Sequence, residues 1–309
     1  VATKTPQERR AHLPIANVFH RNRHSGRRFL VPTLMRYVEQ FLNSRDVCDA
    51  YAELIRTRCR SYARFVGRSV HVEEIDCASV NAWLASLAKK LRPATVAGYK
   101  RNLCVVWREA FEEGLNDNAP LRVRRIKVPQ QIVQAYTHAE IRALLHAASR
   151  LQGRHCNGNR RADFWQALIH SAYSTALRRS DLLLVFRHQL GSDGTCVIVQ
   201  SKTGYAHRVR FSPEALQFAA KLKCPNNLLL PWPYRRDALP PRFQAICRLA
   251  GVKRGSLKWL RRSAASYAEG IEPGAGPKIL GHRTSKVFKM SYDDQAISGH
   301  VAKEPPPIG

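Results

Sequence analysis

From Pro32 onward, apolar side chains recur along the chain with the period of a helix. Leu34, Tyr37, Val38, Phe41 and Leu42 fall at i, i+3, i+4, i+7 and i+8, the spacing of one buried helix face. A second helix is predicted over 49–66, with Tyr51, Leu54, Ile55, Tyr62 and Phe65 as its apolar positions. A third is predicted over about 79–90, where Val80, Trp83, Leu84 and Leu87 share a face. A fourth starts near Pro93, where the missing proline N–H does no harm. It runs through Tyr99, Leu103, Val106 and Trp107 to Ala110. Gly114 and the turn-forming N-D-N-A-P stretch at 116–120 stop it. Residues 31–120 therefore read as an all-helical domain.

The pattern then breaks. Residues 121–135 carry Arg122, Arg124, Arg125, Lys127 and Pro129 with little apolar content, the makeup of a basic interdomain linker. A second domain, 136–298, opens on Thr137-His138-Ala139-Glu140. That is a capping box, in which threonine accepts from a backbone N–H three residues on and glutamate reaches back. Ile141, Leu144, Leu145 and Ala148 continue it as a helix. A polar loop at 151–163 is followed by predicted helices at about 164–175 and 180–190. Cys196-Val197-Ile198-Val199 and the alternating Arg208-Val209-Arg210-Phe211 predict two strands around a Lys202-Thr203-Gly204 turn. Ser212-Pro213 opens another helix, and the rest reads helical to Gly299, with a Pro-rich tail over 299–309. The expected fold class is mainly α with a small β-sheet.

Charge changes the picture. The 309 residues hold 51 Lys+Arg against 23 Asp+Glu, a formal net charge of +28, and 44% hydrophobic residues. Such an excess repels itself in a compact fold, and a polyanion relieves it. Nucleic acid is the partner this charge selects. Residues 1–30, with Arg9, Arg10, Arg21, Arg23, Arg27 and Arg28 against the single acidic Glu8, read as a basic arm along phosphates or as a solvated tail. Eight cysteines without a C-x-x-C pair point to reduced thiols rather than a disulfide framework. His12, His20 and His24 match no zinc spacing. No membrane span and no secretory leader are expected.

Four separated segments carry the chemistry: Ser174-Thr175-Ala176-Leu177-Arg178-Arg179-Ser180-Asp181-Leu182; Gln200-Ser201-Lys202-Thr203-Gly204; Leu257-Lys258-Trp259-Leu260-Arg261-Arg262-Ser263; and Leu280-Gly281-His282 followed by Tyr292. Together they resemble the active site of the tyrosine recombinase (phage integrase) family. That family shows T-G-L-R-x-[ST]-E-L, a hairpin lysine, H-x-L-R-[HS], L-G-H and a following tyrosine. The resemblance runs from about residue 33 to 295, and the first helical unit resembles the family's core-binding, DNA-clamping domain. Two departures stand out: Lys258 replaces the first histidine of H-x-L-R, and His282 and Tyr292 are one residue further apart than usual.

The resemblance implies a site-specific DNA recombinase, and the physics of the reaction suits the residues. Attack on a phosphodiester builds charge on its nonbridging oxygens, which placed cations must hold. Arg178 and Arg261 each offer a two-pronged grip. Tyr292 is the implied nucleophile, forming a 3′-phosphotyrosyl link that conserves the bond energy. Lys202 is the implied general acid for the leaving 5′-oxygen. Lys258 is expected to supply a further cation, and His282 to donate to the phosphate or assist deprotonation. Asp181 is expected to support the site structurally. Arg27, Arg28, Lys100, Arg101, Arg124, Arg125, Lys127, Arg179 and Arg262 are candidate DNA contacts. No cofactor or metal is required.

The implied partners are double-stranded DNA and three further copies of the chain, forming a homotetramer on two DNA sites, with room for an accessory DNA-bending protein. The implied location is the cytoplasm of a prokaryotic-type cell, at the nucleoid. Two other readings stay open: a type IB topoisomerase-like strand transferase, and a DNA-binding regulator derived from an integrase that does not cut.

Overall fold

A computed structural model describes residues 31–299, and there the chain divides between Gln130 and Gln131 into two units. Each closes around its own apolar core. The predicted basic arm with Arg27 and Arg28, and the tail beyond Gly299, lie outside the described residues.

The first unit is built from α1 (Leu34–Asn43), α2 (Asp49–Val66), α3 (Cys77–Ala88) and α4 (Pro93–Glu112). Thr33 caps α1 by accepting from the Arg36 N–H, and Asp76 caps α3 by accepting from Ser79 N–H at 2.8 Å. α2 packs on α1, α3 and α4, and Ile55, Tyr62, Trp83, Leu103 and Trp107 fill the space between them. The loop before α3 is held by buried Asn116, whose amide donates to the carbonyls of Val72 at 2.6 Å and Ile75 at 2.9 Å. One expectation fails in detail. The buried face of α2 is Ala52, Ile55, Cys59 and Tyr62, whereas Tyr51, Leu54 and Phe65 are exposed. Ile55 and Tyr62 are buried as expected, and Ala52 and Cys59 complete the stripe at the i, i+3, i+7, i+10 spacing that Tyr51, Leu54 and Phe65 fall beside.

The second unit runs through α5 (His138–Ser149), α6 (Arg161–Thr175), α7 (Arg179–Leu182), β1 (Thr195–Val199), β2 (Ala206–Arg210), α8 (Pro213–Ala220) and α9 (Leu239–Leu249). It ends with α10 (Leu257–Ile271), α11 (Ala275–Ile279), α12 (Ser285–Ser291) and α13 (Gln295–Ser298). Both halves of the Thr137–Glu140 capping box form at the start of α5. α6 is the central helix. It packs on α5, α8 and α10, and Ala162, Phe164, Trp165, Ala167, Leu168, Ile169 and Ala172 are all buried. A helix apolar on every side belongs in the middle of a core. β1 and β2 pair antiparallel with Val197 opposite Arg208, the two-stranded sheet read from the sequence.

The predicted helix at 180–190 is only the single turn of α7, followed by a short 3-10 turn at Arg187–Gln189. Between them Leu183 and Leu184 form a turn, and the chain then bonds to a distant segment, Arg187 N–H and the Val185 carbonyl pairing with Asn227 and Leu229, each at 2.8 Å. A short apolar run carries no periodicity that separates helix from buried strand. The rest is also less helical than expected, since 221–235 contains no helix. Among the described residues no helix is long and apolar enough to cross a membrane.

Candidate active site

α6 ends on a strained residue. Ala176 is wholly buried in the left-handed region at φ 49°, a conformation that disfavours a Cβ. That turn aims the Ala176 carbonyl at the guanidinium of Arg261, which donates to it. It also releases Arg178 as the N-cap residue of α7. Arg178 donates through Nη1 to Oε1 of Gln200 at 2.7 Å and lies 3.8 Å from the Asp181 carboxylate. Asp181 is buried and accepts from Ser201 N–H at 3.2 Å and Ser201 Oγ at 2.5 Å. The carboxylate thus ties the start of α7 to the hairpin turn, leaving Lys202 exposed at the tip.

α10 supplies the opposite wall. Lys258 and Arg261 lie one turn apart and therefore face the same way. Arg261 is 2% exposed and also donates to the Leu280 carbonyl at 3.2 Å. Leu280 leads into Gly281 at φ 65°, where an added Cβ would stand 2.5 Å from the Gln200 amide nitrogen. The next residue is His282.

Tyr292 is brought in by α12. Phe288 anchors that helix among Ala176, Ala264, Ala265 and Leu280, in a notch that exists because residue 276 is glycine. The backbone beyond is fastened to α10. Arg262 Nε donates to the Ser291 carbonyl at 3.0 Å, Ser266 Oγ donates to the Tyr292 carbonyl at 3.1 Å, and Asp294 N–H donates to Ser266 Oγ at 2.8 Å. The Tyr292 ring then lies 5.1 Å from Lys258 Nζ, 5.2 Å from the Arg261 guanidinium and 5.1 Å from the His282 ring.

Of the six residues read as catalytic, Arg178, Lys202, Lys258, Arg261 and Tyr292 line one cleft of about 330 Å³, and His282 touches it through the Tyr292 ring. Arg179 lines the same cleft. The other candidate DNA contacts are placed elsewhere. Arg101, Arg124, Arg125 and Lys127 are exposed in the first unit. Lys100 is spent on the carbonyls of Val123 at 2.9 Å and Arg124 at 2.8 Å. Arg262 is half-buried, and its guanidinium holds the Ser291 and Gln134 carbonyls. Sequence reasoning gave no part to Gln200, His207, Ser266 or Phe288. Gln200 stands inside the hairpin motif, directly before Ser201 and Lys202, and the others gave no signal.

The electrostatics favour anions. Burial works against ionising the Tyr292 phenol, but the charges of Arg261, Lys258 and Arg178 outweigh it and hold the phenol below its ordinary value. Burial, then the neighbouring Arg262, lowers the Lys258 ammonium, which brings it toward the tyrosine. Burial, with the charges of Arg261 and Arg178, pushes His282 down to about 4, so at neutral pH its ring is uncharged and offers one N–H. The lining contains five cationic side chains and no carboxylate. Among the described residues no cluster of His, Cys, Asp or Glu could hold a metal ion. Such a cleft can grip a tetrahedral anion while an ionisable phenol lies beside it.

No family model matches the chain. A stretch of 185 residues, 57% of the chain, is 20% identical to a tyrosine recombinase XerC of Pseudomonas aeruginosa and spans 43% of that protein. The fold is similar to a lambda integrase tetramer solved on a Holliday junction, with TM-score 0.71 and 18% identity over 91% of this chain and 81% of that one. It is also similar to the Tn1549 transposon integrase in complex with circular intermediate DNA, with TM-score 0.64 and 14% identity over 84% and 95%. A third likeness is to the XerH site-specific recombinase in a post-cleavage complex on its palindromic substrate, with TM-score 0.64 and 13% identity over 83% and 79%. The resemblance read from the four motifs is borne out, and so is the fold class.

Proposed function

We propose that this chain, which has the fold of the tyrosine recombinases, is a site-specific DNA recombinase that cuts and rejoins strands through a covalent bond at Tyr292. The observation that carries this is the convergence of Arg178, Lys202, Lys258, Arg261 and Tyr292 on one cleft from four separate stretches of sequence. In the proposed reaction the Tyr292 phenolate attacks the scissile phosphorus. The phosphorus–oxygen bond to the 5′ side breaks, and Lys202 gives a proton to the leaving 5′-oxygen. Arg178 and Arg261 hold the charge that grows on the nonbridging oxygens. His282, uncharged, donates its ring N–H to the same phosphate. Reversal with a different 5′-hydroxyl rejoins the strand, so no outside energy source enters.

The same reading extends to partners. Duplex DNA is the proposed substrate, held by the exposed cations of the first unit and the cleft of the second. A homotetramer acting on two sites through a Holliday junction is the proposed assembly, supported by the lambda integrase likeness. The stretch 31–120 is proposed as the core-binding domain, 121–135 as the linker and 136–298 as the catalytic domain.

The deciding experiment uses a nicked suicide substrate, from which the strand released by cleavage diffuses away. The expected result is a protein–DNA adduct that survives denaturation and is absent in Tyr292→Phe. Binding without an adduct would mean a non-cleaving regulator. An adduct accompanied by monomeric supercoil relaxation, with no recombination between paired sites, would mean a topoisomerase-like enzyme.

A further inference from the structure

Gln200 is 1% exposed, and its amide is a junction rather than filler. Its Oε1 accepts from Arg178 Nη1 at 2.7 Å and from Thr203 Oγ1 at 3.0 Å. Its Nε2 donates to the Leu280 carbonyl at 3.1 Å. That carbonyl also accepts from Arg261. Both lone pairs of the amide oxygen are used, and only one amide orientation satisfies a guanidinium on one side and a carbonyl on the other. One side chain therefore links Arg178, the turn that carries Lys202, the loop that carries His282 and, through a shared acceptor, Arg261.

A second observation is independent of these bonds. The Gln200 amide nitrogen occupies the space that a Cβ on Gly281 would need, at 2.5 Å, and the His207 ring closes the same space at 2.9 Å. His207 in turn bonds the Ile279 carbonyl at 3.0 Å. The missing side chain at 281 thus admits the amide from the hairpin, and the two segments interlock.

We propose that Gln200 is a positioning residue for strand cleavage, setting the guanidinium of Arg178 and the loop before His282 at a fixed separation so that both reach one phosphate. This rests on the cleavage reading above. Bonds from a buried amide fix direction as well as distance, and a guanidinium without such a partner sweeps through many rotamers. A misplacement of the order of an ångström at a reacting centre is enough to cost about a hundredfold in rate.

The role separates from simple packing because Arg178 acts on the negative charge of the phosphate. A substrate with a neutral methylphosphonate at the scissile position has far less need of that cation, so it also has little need of the residue that aims it. The test compares wild type, Gln200→Met and Gln200→Glu for adduct formation on nicked duplexes carrying either linkage, with DNA affinity measured in parallel. Methionine keeps the length and loses the polar atoms. Glutamate keeps Arg178 but has no N–H for Leu280 and draws the guanidinium toward itself.

The expected result is DNA affinity matching wild type and cleavage of the phosphate slower by about a hundredfold in both variants. On the methylphosphonate the slowing should be clearly smaller than on the phosphate in both variants, because the part that passes through Arg178 is relieved. Equal slowing on both linkages, or no slowing on the phosphate, would overturn the role of Gln200. If Gln200→Met is insoluble, the glutamate variant alone decides between these outcomes. A wild-type chain that forms no adduct on either linkage would overturn the cleavage reading itself, and this role with it.

Discussion

The Lys258 ammonium helps to draw the Tyr292 phenol down, while the lysine is itself lowered by burial and Arg262 against the opposing pull of the phenolate. A lysine with an ordinary pKa is a poor base near neutrality; one lowered beside a phenol is better placed to take its proton. The sign of a test follows. Lys258→Met removes one of the charges that hold the phenol down, so Tyr292 should ionise at higher pH. Single-turnover cleavage rates measured against pH should then rise along an alkaline limb displaced upward from that of wild type. A limb that stays in place would mean the lysine does not govern the tyrosine's ionisation. At this scale the residues that line the cleft were legible, because they stand in short motifs and belong to the few side-chain types that can hold an anion. Their supports were not. Gln200 and Leu280 are 80 residues apart, and Ser266 and Tyr292 are 26 apart, so only the folded chain pairs them.

Elements were legible where one face is buried and the ends are capped. α1, α4 and α5 follow their periodicity and cap signals, including Pro93 at the start of α4 and Thr137 before α5. α2 was found, and Ile55 and Tyr62 are on its buried face, but Tyr51, Leu54 and Phe65 fall beside that stripe and the less conspicuous Ala52 and Cys59 fall on it. The run after α7 was misjudged because the segment it bonds to, at 227–229, is distant in sequence.

α12 has the plainest consequence at this scale. It is short, and Phe288 is its one buried residue. Phe288→Ala would remove the ring from the notch at Gly276, with a cost of about 3–5 kcal/mol for a buried phenylalanine. Because α12 delivers Tyr292, the loss should fall first on that helix. Amide exchange over Ser285–Ser291 should accelerate more than in α6, and adduct formation should drop while DNA affinity holds. Uniformly faster exchange, or unchanged cleavage, would show that α12 is not held by this one ring.

Over the whole molecule the charge of +28 is spread across both units, and not every cation in it is free to meet DNA. Arg124, Arg125 and Lys127 have exposed side chains, whereas Arg262 is committed to the carbonyls of Ser291 and Gln134. Neutralising a phosphate releases condensed counterions, so each true contact adds to the salt dependence of binding. Changing Arg124, Arg125 and Lys127 together to glutamine should flatten the plot of log affinity against log salt by about 2 to 3 units, at roughly 0.9 per contact. The fraction of bound complexes that reach the covalent adduct should not change. Arg262→Gln should do the reverse: the salt slope stays, and the adduct falls, because the backbone beneath Tyr292 loses one of its ties to α10. If the triple variant keeps the wild-type slope, the connector does not touch phosphate, and the basic surface that holds DNA must be sought on other faces. If Arg262→Gln lowers the slope instead, its guanidinium leaves the two carbonyls for DNA on binding.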